Sequence, residues 1–224
     1  MTQRSLALLA LILPLGACQG TESSRTVETA TVETYGTDYS GPKTAVSIGK
    51  FNNASPYMRG IFSDGQDRLG SQARTILQTH LSQTNRFDVL DRENLEAMQQ
   101  ESGFSGDELY IEGARYILTG QVTEFGRKTT GDKQLYGILG RGKSQIAYSK
   151  VSVNVVDAQT SRVVHSVQGA GEYQLSDREI VGFGSESGYD STLNGKVLNL
   201  SVTDAVNKLV NSMESGEWTP GSSS

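Results

Sequence analysis

Two long β-rich runs in the second half of the chain constrain its fold most strongly. They cover residues 144–157 and 162–175, and the stretch between them, Asp157–Ser161 (DAQTS), is made of turn-forming residues. Two extended runs joined by a short turn predict an antiparallel β-hairpin. The fold is therefore expected to contain a β-meander, with the remaining elements arranged around it.

Helical periodicity appears at three places outside this hairpin. Apolar residues recur at helical spacing over 69–84, which predicts a first helix with Leu69, Leu77 and Leu81 facing the core. Residues 92–101 predict a second helix with Leu95 and Met98 inside. Residues 196–213 predict a terminal helix with one apolar stripe, formed by Val202, Ala205, Val206, Leu209, Val210 and Met213.

Three further β-rich segments, 44–51, 87–91 and 114–125, alternate with the first two helices. The order strand, helix, strand, helix, meander and terminal helix is typical of an α/β or α+β domain. We expect the folded domain to span residues 44–218. Trp218 should anchor its end, and residues 219–224 should form a frayed tail.

The N-terminus carries a targeting segment. Arg4 precedes a hydrophobic run of ten residues, Leu6–Leu15 (LALLALILPL), which is too short to span a membrane and indicates a secretory signal. The four residues from Leu15 to Cys18 (LGAC), at the end of this run, resemble the lipobox of bacterial lipoproteins. The resemblance implies cleavage after residue 17 and lipid attachment at Cys18. The alternative is an ordinary secretory signal with an incidental cysteine.

Lipidation would fix the location of the mature chain. Gln19 stands where inner-membrane retention in many Gram-negative bacteria requires Asp, so the resemblance implies an outer-membrane lipoprotein whose body faces the periplasm. Residues 18–43 are rich in Thr, Ser, Glu and Gly without apolar periodicity, and we expect them to form a flexible tether.

Composition excludes several function classes. A net charge of −5 with no basic block argues against nucleic acid as a partner. One cysteine excludes an intramolecular disulfide framework, and two histidines leave little material for a zinc site or a Ser–His triad. We expect no enzymatic activity and no metal or other cofactor. We also expect structural roles for His80, on a partly exposed helix face, and for His165.

Two glycine-rich segments, 126–143 and 176–195, are longer than the loops of most compact domains. Both lie where strands leave and re-enter the sheet. We therefore expect hairpin extensions at about 125–150 and 173–195.

From the first strand (VSIGKF) to the terminal helix, the chain resembles the CsgG/HfaB family of outer-membrane lipoproteins. The stretches SQARTILQTHLSQTNRFDVLDRENLEAMQQE, ARYILTGQVTEF and YSKVSVNVVDAQTSRVVHSV carry the resemblance. It implies a periplasmic mixed-sheet domain with flanking helices. It also implies that each protomer contributes two hairpins to a shared transmembrane barrel. The resulting homo-oligomeric ring would export unfolded curli-type fibre subunits, with periplasmic accessory proteins as further partners.

In that family a loop after the first strand lines the constriction of the channel. Here the loop is 56–66 (PYMRGIFSDGQ), and Tyr57, Phe62 and Gln66 are the nearest equivalents of the family's aromatic and amide side chains. The first hairpin departs from the family's pattern. Residues 126–150 contain seven Lys, Arg or Asp residues, and a cation at the midplane of a barrel's lipid face costs about 2–4 kcal/mol. A lipid-anchored scaffold without a pore, serving adhesin or holdfast attachment or the activation of an envelope enzyme, is therefore the alternative function.

Overall fold

Five strands form one mixed sheet in the order β2-β1-β3-β4-β5. The computed structural model describes residues 29–57, 66–131, 143–174 and 191–221, and gives only the backbone of 129–131, 143–144 and 191–193. In chain order the elements are β1 (Thr44–Asn53), α1 (Arg68–Gln83), β2 (Phe87–Leu90), α2 (Leu95–Ser105), β3 (Tyr116–Gly131), β4 (Lys143–Asp157), β5 (Val163–Gln174) and α3 (Ser191–Glu214).

Strand direction divides the sheet into two halves. β1 is parallel to β2 and to β3, whereas the pairs β3–β4 and β4–β5 are antiparallel. The predicted α/β (α+β) class, a mixed sheet with flanking helices, is therefore confirmed. The hairpin extensions beyond this sheet stay a prediction.

The core lies between the sheet and two helices that share one of its faces. α1 packs on β1 and β2, α3 packs on β4 and β5, and the two helices also contact each other. Each large apolar side chain that is fully buried in this core stabilises the fold by about 1.5–3 kcal/mol. The most deeply buried side chains include Val46, Leu77, Leu81, Leu118, Val151, Val153, Val202 and Leu209.

β3 and β4 form the longest pairing in the sheet. Their register runs from Tyr116↔Asp157 to Gly131↔Lys143, with one irregularity between Val122 and Glu124. β5 accompanies β4 only as far as Ile146↔Gln174. Beyond that point β3 and β4 continue alone as a two-stranded ribbon, in the region where the first hairpin extension is predicted.

The segment before β1 differs from the flexible tether expected there. Val32 is 2% exposed and belongs to the main core cluster. Asn199 of α3 donates to the carbonyl of Ala30 at 2.8 Å, and the backbone N–H of Glu33 donates to Asn207 of α3 at 3.0 Å. Residues 29–43, which we call the strap, therefore lie against the domain, and their first part is bonded to α3. The burial of Val32 and hydrogen bonds to side chains of α3 hold this part without any apolar period in the sequence.

Two expectations about the helices are wrong. α2 has no buried residue, and Met98, expected inside, is 37% exposed, because Leu95, Met98 and Phe104 do not make a stripe wide enough to bury in a helix of eleven residues. His80 was expected on a partly exposed face but is only 3% exposed. It faces α3 rather than solvent.

The structural expectations for His165 and Trp218 are confirmed. Trp218 is 5% exposed, its ring stacks on His165 with centroids 5.8 Å apart, and it meets the edge of Tyr116 at 5.5 Å. The segment after α3 is thereby fixed against the start of β3 and β5.

Candidate functional site

Four chain segments meet at one end of the sheet, which we call the loop end. β1, β3 and β5 run towards it and β4 starts from it, so it is marked by Asn53, Gly131, Lys143 and Gln174. The β1–α1 loop, the β3–β4 connection and the β5–α3 connection all leave from this end. The candidate site is built on its first loop.

Asp67 closes the base of the β1–α1 loop. One carboxylate oxygen accepts the backbone N–H of Asn53, the last residue of β1, at 2.6 Å. The other accepts the N–H of Gly70 at 2.8 Å and so caps α1, in the manner typical of an N-cap aspartate. A single carboxylate therefore fixes the first turn of α1 and joins it to the end of the strand.

The side chain of Asn53 orders the start of the same loop. Its oxygen accepts from the hydroxyl of Ser55 at 2.6 Å and from the Ser55 N–H at 3.0 Å, and its amide nitrogen donates to the carbonyl of Tyr57 at 2.9 Å. The backbone N–H groups of Ala54 and Ser55 also donate to the carbonyl of Val122 in β3. The first residues of the loop are thus hydrogen-bonded to the sheet.

Tyr57 and Gln66 flank the closed base, at the two ends of the loop. The ring of Tyr57 packs on Phe125 of β3, with centroids 4.8 Å apart and an interplanar angle of 47°. Gln66 is exposed, and its carbonyl accepts the N–H of Arg68 at 3.2 Å. Phe62, like the lipid-attachment residue Cys18, lies outside the described residues.

Asn53 and Asp67 are the residues that sequence reasoning missed. The signal for Asp67 was present, since an aspartate immediately before an apolar helical period is a standard N-cap pattern. Asn53 follows another asparagine at the end of a β-rich run, where such residues commonly bind the backbone of a turn. Neither pattern reveals that the two residues bind each other.

Two charged pairs join neighbouring strands just before β3 and β4 continue alone. Lys150 bonds Glu124 on β3 at 2.9 Å, and Lys128 of β3 bonds Glu172 of β5 at 2.6 Å. The hydrogen bond and the charge of Glu124 raise the pKa of Lys150 above its usual value. Lys128 and Lys150, two of the cations that argue against a membrane-spanning hairpin, are therefore neutralised by neighbouring carboxylates.

His80 links α1 to α3, the helix that also holds the strap. Its Nε2 lies 2.8 Å from the amide oxygen of Asn199 and 3.0 Å from the hydroxyl of Thr203, and its Nδ1 lies 3.0 Å from Gln83 Oε1. Since Asn199 also donates to Ala30, one network ties α1, α3 and the strap together. The strap meets this network at Asn199, which lies in the half of α3 nearer the loop end.

A groove of about 480 Å³ lies at the opposite end of the sheet. Arg86 and Arg115 line it, but each is engaged: Arg86 bonds Glu214 at 2.7 Å, and Arg115 lies 3.4 Å from Asp157. The described residues contain no group of three or more His, Cys, Asp or Glu side chains placed to hold a metal ion. None of the helices in those residues combines the length and the apolar character that crossing a bilayer requires.

A protein of Neisseria meningitidis serogroup B (strain MC58), named "Putative lipoprotein NMB1126/NMB1164", is 58% identical over 216 residues, which cover 96% of each chain.

Two solved structures are similar at a lower level. The PelC dodecamer from Paraburkholderia phytofirmans matches at a TM-score of 0.36 and 18% identity, over 75% of this chain and 93% of that one. The lipoprotein GNA1162 from Neisseria meningitidis matches at a TM-score of 0.33 and 17% identity, over 75% of this chain and 99% of that one. Neither similarity is close enough to indicate how this chain assembles.

The family model for the curli production assembly/transport component CsgG matches residues 32–221. The match begins at Val32, the residue that the strap buries, and ends beyond Trp218. It therefore covers most of the strap, the whole sheet and both core helices. This chain belongs to the CsgG family.

Proposed function

We propose that the chain is the subunit of a homo-oligomeric export channel, anchored to the outer membrane through lipid on Cys18. Its cargo would be unfolded subunits of a curli-type extracellular fibre, delivered with the help of periplasmic accessory proteins. Membership of the CsgG family and a close relative with a lipoprotein name support this proposal.

One observation carries the proposal furthest, namely the convergence at the loop end. The candidate constriction loop and the two connections assigned to hairpin extensions start from this end, and the strap is bonded to the half of α3 nearer to it. A chain lipidated at Cys18 would have only eleven residues, 19–29, between its anchor and Ala30, the point of attachment to α3, about 40 Å when fully extended. The short span favours a domain that faces the membrane with its loop end.

The constriction assigned to Tyr57, Phe62 and Gln66 would act by contact rather than by chemistry. Aromatic and amide side chains can contact an extended polypeptide of almost any sequence. Asn53 and Asp67 would hold the two ends of the loop at a fixed separation, so that each copy in a ring presents the loop in the same way. Movement of cargo would be diffusive, and we propose no enzymatic step, no metal and no cofactor.

A lipid-anchored scaffold without a pore, serving adhesin or holdfast attachment or the activation of an envelope enzyme, is the second candidate. The observation that favours it is the position of Tyr57, whose ring packs on Phe125 and the core instead of projecting from the loop. The charged pairs Lys150–Glu124 and Lys128–Glu172, at the base of the first predicted hairpin extension, also suit strands in water.

Conductance distinguishes the two candidates. Protein purified from membranes should form rings in negative-stain micrographs and open single channels in planar bilayers, and the double variant Tyr57→Ala, Phe62→Ala should change the conductance. The Tyr57→Phe variant is the matched control, because it keeps the ring on Phe125. Rings that never conduct would favour the scaffold, and monomers would contradict both candidates.

Anchoring has its own test. The Cys18→Ala variant should leave the membrane fraction and lose export while its domain stays folded. If it still sediments with outer membranes and supports export, the proposed attachment at Cys18 is wrong.

A further inference from the structure

The crossover from β2 to β3 carries a segment that the domain does not bury. We call residues 91–114 the acidic projection; it contains α2 and the extended stretch after it. Phe104 and Tyr110 are 83% and 87% exposed, and Ile111 is 48% exposed. Large apolar side chains grouped on a protruding element commonly mark an interaction site.

The base of the projection is held firmly beside the β2 edge of the sheet. The guanidinium of Arg92 donates to the carbonyl of Glu112, which joins the two ends of the projection. Arg74 of α1 pairs with Glu93 and fixes the base to the domain. The exposed side chains therefore stand on a fixed support.

The projection holds the negative charge of the protein. Residues 91–114 contain seven acidic residues and one basic residue, a net charge of −6, so the rest of the chain sums to +1. A partner surface for this segment should therefore be apolar and basic.

Such a surface lies at the start of β5, on the opposite edge of the sheet. Val163 and Val164 are 58% and 38% exposed, and they follow exposed Arg162. Arg162 is the only charged residue between Ala158 and Gly171, and it lines one cavity with Val164, Glu217 and the Arg115–Asp157 pair. We call residues 162–164 the β5 start patch.

The middle of the β5 edge is already closed by α3. Asp204 accepts the outward N–H of Ala170 at 2.9 Å, and Lys208 donates to the outward carbonyl of Gln168 at 2.9 Å. Side chains that cover an edge in this way prevent another chain from pairing there. The β5 start patch lies outside the part of the edge that these two side chains cover.

We propose that the acidic projection of one copy docks on the β5 start patch of a second copy of this chain. The two surfaces differ in composition and lie on opposite edges of one sheet, so the contact is head-to-tail, and repetition closes into a ring where the rotation permits. This inference rests on the proposed homo-oligomer and assigns the surfaces that build it.

Two variants of the full-length lipoprotein test the contact in detergent, by mass photometry. Phe104→Ser, Tyr110→Ser, Ile111→Ser disables the projection, and Arg162→Glu, Val163→Thr, Val164→Thr disables the patch. Each variant keeps one intact surface but cannot pair with its own copies. Each alone should be monomeric, and an equimolar mixture should form 1:1 dimers and nothing larger, whereas the wild type forms rings. Circular dichroism checks that both variants are folded.

The outcomes separate this inference from the proposed function. Wild-type rings together with variants that also form rings would overturn the docking assignment and leave the ring standing. Monomeric variants whose mixture stays monomeric would overturn the head-to-tail pairing. A monomeric wild type would overturn both the ring and the contact.

Discussion

Gly169 of β5 lies directly against the backbone of Ala205 in α3. A Cβ built on Gly169 would be 2.5 Å from the nitrogen of Ala205 and would overlap the carbonyl oxygen of Ser201. Gly171, two residues further on, approaches Ser201 and Leu200 in the same way. The helix therefore packs backbone to backbone on the edge strand, which brings Asp204 and Lys208 within reach of its outward N–H and carbonyl groups.

Replacing Gly169 with alanine should lower the free energy of unfolding by about 1–3 kcal/mol, the usual cost of overpacking. Gly103 provides the matched control: it lies in exposed α2, a Cβ there would meet nothing within 4 Å, and alanine favours a helix over glycine by about 1 kcal/mol. Urea unfolding of both variants makes the comparison. Equal stability of the two variants would contradict the close approach of α3 to β5.

Two substitutions of Asp67 should differ in their effect on the free energy of unfolding. Asp67→Ala loses both the helix cap and the bond to Asn53, and should cost about 1–2 kcal/mol, in the range of N-cap deletions. Asp67→Asn keeps an oxygen for the N–H of Gly70 but turns an NH₂ group towards the N–H of Asn53. Its stability should stay near that of the wild type.

Hydrogen exchange separates the two roles of Asp67. The backbone amides of Asn53 and Ser55 should exchange faster in both variants, because both lose the closed loop base. Protection of these amides in Asp67→Asn would show that the loop does not depend on this carboxylate.

A regular period of buried residues explains why two strands and one helix were predictable. The runs 144–157 and 162–175 were located to within one residue of β4 and β5, and α1 to within one residue at each end. In each case a buried face imposes a period on the sequence. α3 begins at Ser191, five residues earlier than predicted. The prediction stops short because Gly195 ends a glycine-rich segment, and glycine disfavours a helix.

The elements that escaped prediction have no such period. Val32 is one apolar residue among threonines, and its burial depends on hydrogen bonds that the strap makes to α3. His80 is buried because α3 covers it, a contact that joins residues 119 positions apart in the chain. Of the candidate site, the sequence located the loop but not the pair, Asn53 and Asp67, that closes it.

Acid should weaken the β4–β5 turn through Asp157. Its pKa lies below the usual aspartate value because the N–H of Thr160, then its hydroxyl, the N–H of Gln159 and the charge of Arg115 all favour the carboxylate, although burial opposes them. A lowered pKa stabilises the fold fully above the unfolded value of about 4, and this contribution disappears as the pH falls through the lower folded value.

The Asp157→Asn variant isolates that contribution. At pH 7 it should melt at a lower temperature than the wild type, and the difference between the two should shrink as the pH falls from about 5 to 2. The other carboxylates titrate alike in both proteins, so they cancel in the difference. A gap in melting temperature that stays constant over this range would contradict the assignment.

Asn199 should control the docking of the strap. Asn199→Ala removes the donor to the carbonyl of Ala30 and one partner of the His80 ring, while alanine suits the helix itself. Loss of these partly buried hydrogen bonds should cost about 1–3 kcal/mol. Amides of residues 30–37 should lose protection in hydrogen exchange read by mass spectrometry.

Asn207→Ala, which loses only the exposed bond from Glu33, is the control and should have the smaller effect. If both variants leave the strap equally protected, burial of Val32 alone holds it, and the His80–Asn199 network only joins the two helices.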